Sequence, residues 1–200
     1  LYSDCLMAST FSCSLSINQL FQDSICELIS CRRQQLVTLD NLIHSRFIEV
    51  FGDPVTNPMK WNKKRLSEEC DIITGNTPSR KIPEYYGNYV EWIKSDNINT
   101  PYATLTRAEE YLSESGLQVG RFVDAGAILM TCIAGSIGCI GNVAIADRKV
   151  AFNQQINAII PFKNVNAYYV MQAIEYRTKD LALGVAKQAG TAALMGFLIG

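Results

Sequence analysis

The chain has one histidine, His44, and its seven cysteines form no CxxC pair. A structural zinc site needs closely spaced ligand pairs, so none is expected. An odd number of thiols, several of them inside apolar runs, suits buried free cysteines in a reducing cytoplasm better than a disulfide framework. Long apolar runs are missing too. The nearest, Ala189 to Gly200, is too short to span a bilayer, and the start lacks the charged region and cleavage pattern of a signal peptide. Neither sign of charge is in excess. Lys plus Arg number 18 against 19 for Asp plus Glu. That gives no global basic signature, which weighs against a nucleic-acid binder unless a partner supplies the phosphate contacts. Enzyme signatures are sparse. No G-x-S-x-G elbow occurs. The glycine-rich Gly135 to Gly141 is not followed by Gly-Lys-Ser/Thr. Glu91-Trp92-Ile93-Lys94 is one residue too long for the Glu-x-Lys of common restriction nucleases, and the Asp/Asn-Pro-Pro-Tyr/Phe run of adenine methyltransferases is absent.

What is present is a normal globular composition, 48% hydrophobic over 200 residues, enough for one domain with an extension or for two small units. Between Leu15 and Phe51, apolar residues from Ile25 to Val50 recur mostly at three- and four-residue steps, the pattern of a helix. Leu36, Ile43 and Val50 also keep a seven-residue spacing that a coiled-coil seam would use. Asp23 or Ser24 is the expected N-cap, Ser9 to Ser16 the expected loop or frayed end, and Gly52-Asp53-Pro54 the stop. His44 belongs to the surface or seam of this helix. Pro54 to Lys60 reads as a linker and Trp61 to Cys70 as a short amphipathic segment. From Asp71 onward, β-branched runs alternate with Gly, Asn, Pro and Asp turns. Strands are expected at 71–74, 90–94, 127–132, 141–146 and 156–161, with helices at 112–116 and 166–183.

Four stretches concentrate hydrogen-bonding side chains. Gly75 to Lys81 crowds Asn76, Thr77, Ser79, Arg80 and Lys81 onto one turn. Lys94, Ser95, Asp96, Asn97 and Asn99 follow a strand that carries Trp92 inward. Thr131 and Ser136 flank the glycine-rich bend, and Asn153 and Gln154 precede the last strand. Arg and Asn can read base edges bidentately, and hydroxyls and cations suit phosphate oxygens. Each stretch also has a plainer reading: a polar loop, Asx-turn chemistry, a tight bend between buried strands, or amides that close a sheet edge. Lys60, Lys63, Lys64 and Arg65 form the one dense basic cluster, a phosphate grip or a solvated face.

Taken in order, DIITGNTPSRK (71–81), VEWIKSDNIN (90–99), AILMTCIAGSIGCIGNVAI (127–145) and AFNQQINAII (151–160) resemble the target-recognition domain of type I restriction-modification specificity subunits. LVTLDNLIHSRFIEVFGDP (36–54) resembles the helical spacer that precedes such a domain. The resemblance implies an α/β (α+β) chain: a strand-rich target-recognition domain with a long helix that packs as part of an antiparallel coiled coil. Its implied divisions are a helical spacer at 1–54, a recognition domain at 55–165 and an incomplete C-terminal helical segment at 166–200. It further implies binding of double-stranded DNA, association with methyltransferase and restriction subunits, and no cofactor or catalytic residue of its own. S-adenosylmethionine and ATP belong to the partners. With one recognition domain in place of two, and an end at Gly200 where the family continues, the chain reads as a fragment or as a half-subunit that self-associates through its helices. Two other readings stay open: a metal-dependent nuclease using Asp71, Glu91 and Lys94, and an assembly protein whose helix binds methyltransferase subunits without reading DNA.

Overall fold

The computed structural model describes residues 2–133 and 137–185, with side chains described at 19–133 and 138–178. The chain divides into two units, residues 1–50 and residues 51–200.

The first unit is formed by the helix α1 (Tyr2–Phe51), whose last residue falls in the second. No Gly or Pro occurs before Gly52, so nothing in the sequence interrupts it. Ser9 to Ser16 is therefore helical, not the expected loop, because serine costs only a few tenths of a kcal/mol more than alanine in a helix, about 0.5. Asp23 and Ser24 are likewise not caps. Ser24 lies mid-helix and its hydroxyl donates back to the Leu20 carbonyl at 2.9 Å. The stop is where the sequence places it: Gly52 adopts φ +79°, the left-handed geometry of a C-terminal cap. In the second unit the Trp61 indole N–H donates to the Phe51 carbonyl at 2.8 Å.

Residues 51–200 hold two four-stranded sheets. The first runs β1 (Cys70–Thr74), β8 (Ile156–Pro161), β5 (Ile128–Thr131), β6 (Val143–Ile145), antiparallel throughout. The second runs β3 (Tyr111–Leu112), β2 (Tyr86–Ile93), β7 (Val150–Phe152), β4 (Phe122–Val123), with β2 and β7 parallel. Helices α2 (Glu114–Val119) and α3 (Ala167–Val185) lie in the same unit. The expected amphipathic segment at 61–70 forms only a short 3-10 turn, Leu66–Glu68.

Alternation along the strands builds the layers. Leu129, Ala144, Ile156 and Ala158 of the first sheet share a core with Ile93, Val150 and Phe152 of the second. Their neighbours Ile128, Met130, Val143, Ile145 and Ile159 face the other way, onto Val170, Met171 and Ile174 of α3. Val90, Trp92, Leu112 and Ala151 form a third cluster on the far side of the second sheet, with Leu117 of α2 against it. The order is thus α3, first sheet, second sheet, α2. With both faces covered, β5 and β6 are buried at every position, and so read as unbroken apolar runs in the sequence. Among the described residues, no helix is long and apolar enough to cross a membrane.

Candidate nucleic-acid interface

The strand pairings bring the four polar stretches to one end of the two sheets. Thr74, the last residue of β1, pairs with Asn157 at the start of β8, and Ile156 pairs with Thr131 at the end of β5. Ile93, the last residue of β2, pairs with Phe152, the last of β7. The connections leaving those ends are then stitched to each other. Gly75 N–H donates to Ile156 O at 2.9 Å, and Asn76 N–H to Phe152 O at 3.2 Å. Asn153 N–H donates to Ile93 O at 3.2 Å, and Cys132 N–H to Gln155 O at 2.8 Å. Asn142 donates its amide to Asn99 Oδ1 at 3.0 Å. Gly75 is required by this crowding: a Cβ there would lie 2.1 Å from the Asn153 carbonyl oxygen.

On the first loop, Thr77, Ser79, Arg80 and Lys81 are exposed and Asn76 is half-buried. Asn76 works as a brace, donating to Val119 O and accepting from Arg121 N–H, both at 2.8 Å. The Thr77 hydroxyl donates to Gln154 Oε1, which joins this loop to the 153–155 turn. Ser79 Oγ lies 3.4 Å from the Lys81 N–H. Arg80 donates to Glu110 at 2.5 Å and stacks over Tyr86 and Trp92.

On the second loop, Lys94 also pairs with Glu110. The two cations, Lys94 foremost, hold the Glu110 carboxyl below its ordinary range. Ser95 and Asp96 begin a 3-10 turn closed by Asn97, and Asp96 is exposed. Asn97 is occupied at both ends of its amide. Its oxygen accepts from Lys94 N–H at 3.0 Å and its nitrogen donates to Arg107 O at 2.9 Å. Turn chemistry claims this residue.

Two expectations need correcting. Thr131 does not point outward. It is 0% exposed, because β5 is covered on both faces and has no outer side. Asn153 is buried and folded onto its own turn, accepting from Gln155 N–H at 3.0 Å and donating to Gln155 Oε1 at 3.1 Å. Gln154 between them is exposed. Ser136 lies outside the described residues.

The three residues of the alternative nuclease reading do not assemble. Glu91 is buried, and Arg148 grips it with two bonds of 2.7 and 2.6 Å. Arg107 and the Ala108 N–H donate to it at 2.7 and 2.9 Å. These partners, Arg148 first, hold its carboxyl down at about 2. Lys94 is committed to Glu110. Asp71 pairs with Ile160 in the other sheet. No group of three or more potential metal ligands occurs among the described residues. In the basic cluster Lys64 pairs with Glu69, and Lys60, Lys63 and Arg65 are exposed.

Residues missed by sequence reasoning are the ones that hold the loops. Glu110 joins Arg80 to Lys94, and Arg148 also donates to Thr106 O at 2.9 Å, pinning the 104–108 segment on which Asn97 rests. Nothing in a single sequence signals a pair such as Glu91 and Arg148, 57 positions apart.

The type I restriction enzyme MjaIX specificity subunit of Methanocaldococcus jannaschii is 32% identical over 135 residues, 64% of this chain and 30% of that protein. The type I restriction enzyme HindI specificity subunit of Haemophilus influenzae is 33% identical over 143 residues, 68% and 29% of the two chains. This chain thus spans about a third or less of the length of those relatives. In fold it is similar to the HsdS subunit from Thermoanaerobacter tengcongensis, with a TM-score of 0.55 at 18% identity over 82% of this chain and 39% of that one. It is similar as well to a chain from a structure of the assembly and conformational transition of the type I R-M system, with a TM-score of 0.54 at 17% identity over 82% and 40%. Residues 58–194 match the type I restriction modification DNA specificity domain, and the chain belongs to that family.

Proposed function

We propose that this chain reads double-stranded DNA as the specificity subunit, or half of one, of a type I restriction-modification complex. On this reading it directs adenine methylation and cleavage by partner subunits, acts in the cytoplasm and contributes no catalytic group. Residues 55–165 are the reader and 1–54 the spacer. The observation that carries the reading is the gathering of the polar loops at one end of two packed sheets. A rigid scaffold fixes donors and acceptors well enough to discriminate base edges, which needs few groups and little net charge.

Exposed Thr77, Ser79, Arg80, Lys81, Asp96 and Gln154 are the side chains best placed to meet DNA, with Lys94, Ser95 and Asn99 at the margin. Apolar residues of α1, including Leu36, Leu39 and Ile43, are more than half exposed, which suits a helix that docks on methyltransferase subunits or on a second copy. The test is to express the chain with its methyltransferase partner and map methylated adenines genome-wide. A defined motif that disappears without this chain supports the reading. Loss of no motif refutes it. If a peptide of residues 23–51 alone reproduces every effect, the chain is an assembly protein and not a reader.

A further inference from the structure

Arg80 differs from the other exposed cations of the loop end in how firmly it is held. Its guanidinium carbon lies 4.3 Å from the Tyr86 ring centroid and 5.0 Å from that of Trp92. Those rings meet edge to face at 5.9 Å, and Trp92 is only 4% exposed, so the platform is itself fixed. The Tyr86 hydroxyl donates to the Pro78 carbonyl at 2.7 Å, anchoring the loop two residues before Arg80. Glu110 completes the clamp by accepting from Nη2 at 2.5 Å. The Arg80 side chain nonetheless remains 55% exposed. A guanidinium has five N–H donors in a planar fork, and Glu110 takes one through Nη2. Lys94 shares the same carboxylate, so two cations face one anion and the cluster stays net positive.

A phosphate can also accept two bonds from an arginine fork, but it is the same at every base pair and is gripped alike in every sequence. A planar fork held in one orientation suits a partner with two adjacent acceptors, as guanine presents through O6 and N7 in the major groove. We propose that Arg80 reads a guanine of the target sequence, and that Glu110 is the positioning residue that sets its angle. This rests on the DNA-reading function proposed above, and it names one base of the target.

The experiment maps methylated sites in cells carrying the chain and its methyltransferase partner, for wild type, Arg80→Ala, Arg80→Lys and Glu110→Gln, with thermal melts of each purified chain. The wild-type motif should contain a G·C pair at which Arg80→Ala lowers discrimination by about 5- to 150-fold, the range set by one bidentate arginine–guanine pair. Preference elsewhere in the motif should hold. Arg80→Lys keeps the charge without the fork, so it should relax the same position in part, and it carries the test if the alanine variant melts early. Glu110→Gln keeps Arg80 and removes a negative charge. It should also relax that one position while overall DNA affinity stays level or rises. If the wild-type motif is well defined but the variants weaken all sites alike, or change none, the assignment of Arg80 is overturned and DNA reading stands. If wild type methylates no defined motif, both fall.

Discussion

Replacing Glu91 with Gln should destabilise the protein by about 3 kcal/mol at neutral pH, and the deficit should fade in acid. The carboxylate is 8% exposed and its main partner Arg148 is 19% exposed, so solvent screens this pair weakly. Arg107, at 75% exposed, adds little. The folded-state carboxyl titrates at about 2 against an ordinary 4.5, a gap worth about 3 kcal/mol at roughly 1.4 kcal/mol per unit. Because the folded value is the lower one, protons bind the unfolded chain first. The stabilisation is fully present above about 4.5 and is lost as pH falls towards 2. Urea denaturation of both proteins at pH 7 and pH 3 measures it. The stability difference should narrow by about 2 kcal/mol between those conditions. A difference that does not change with pH, or one below roughly 0.5 kcal/mol at pH 7, would refute the view that this ion pair is a main tie of the 104–108 segment. The consequence extends to recognition, since Asn97 bonds to Arg107 and Thr106 of that segment.

Other outcomes follow from single residues. Gly75→Ala drives a methyl group into the Asn153 carbonyl and should cost about 1–3 kcal/mol, with faster proteolysis at the 75–81 loop, read by melting and limited digestion. Lys63→Gln and Lys64→Gln should weaken binding to every DNA sequence alike and reduce the salt slope by about one for each phosphate left without its cation, measured by titration at several salt concentrations. Burial pushes the Cys132 thiol up to about 11, so in the isolated chain a thiol reagent at pH 8 should modify exposed Cys26 and Cys31 well before Cys132, followed by peptide mass mapping.

Much of the frame was legible because its physics is local. The 156–161 strand was placed to the residue, since an apolar run ending in proline leaves little choice. The α1 stop was equally clear from Gly52 and Pro54. Short strands were not: β3 and β4 have two residues each, too few for a period to show, and β7 has three, hidden in the stretch VAF. The 90–94 strand begins at Tyr86, and a register shift between Tyr86 and Val90 breaks the alternation that would have revealed it. At the site, sequence marked the right loops but not the division of labour within them. Asn97 and Asn153 carry the residue type of a base reader, yet their amides are spent on turns. Thr131 looked accessible because it adjoins the glycine-rich bend, although the unbroken apolar run before it marks a strand covered on both faces. Glu110, which ties Arg80 to Lys94 across 30 and 16 positions, is invisible without the fold.

The most direct test of the central claim is a transplant. Residues 55–165 replace the matching segment of a two-domain specificity subunit with a known split target, and the methylated motif is sequenced. The account predicts that one half of the motif changes to a new sequence while the other half and the gap between them persist. An unchanged motif, or one that changes only when residues 1–54 are moved as well, would contradict it.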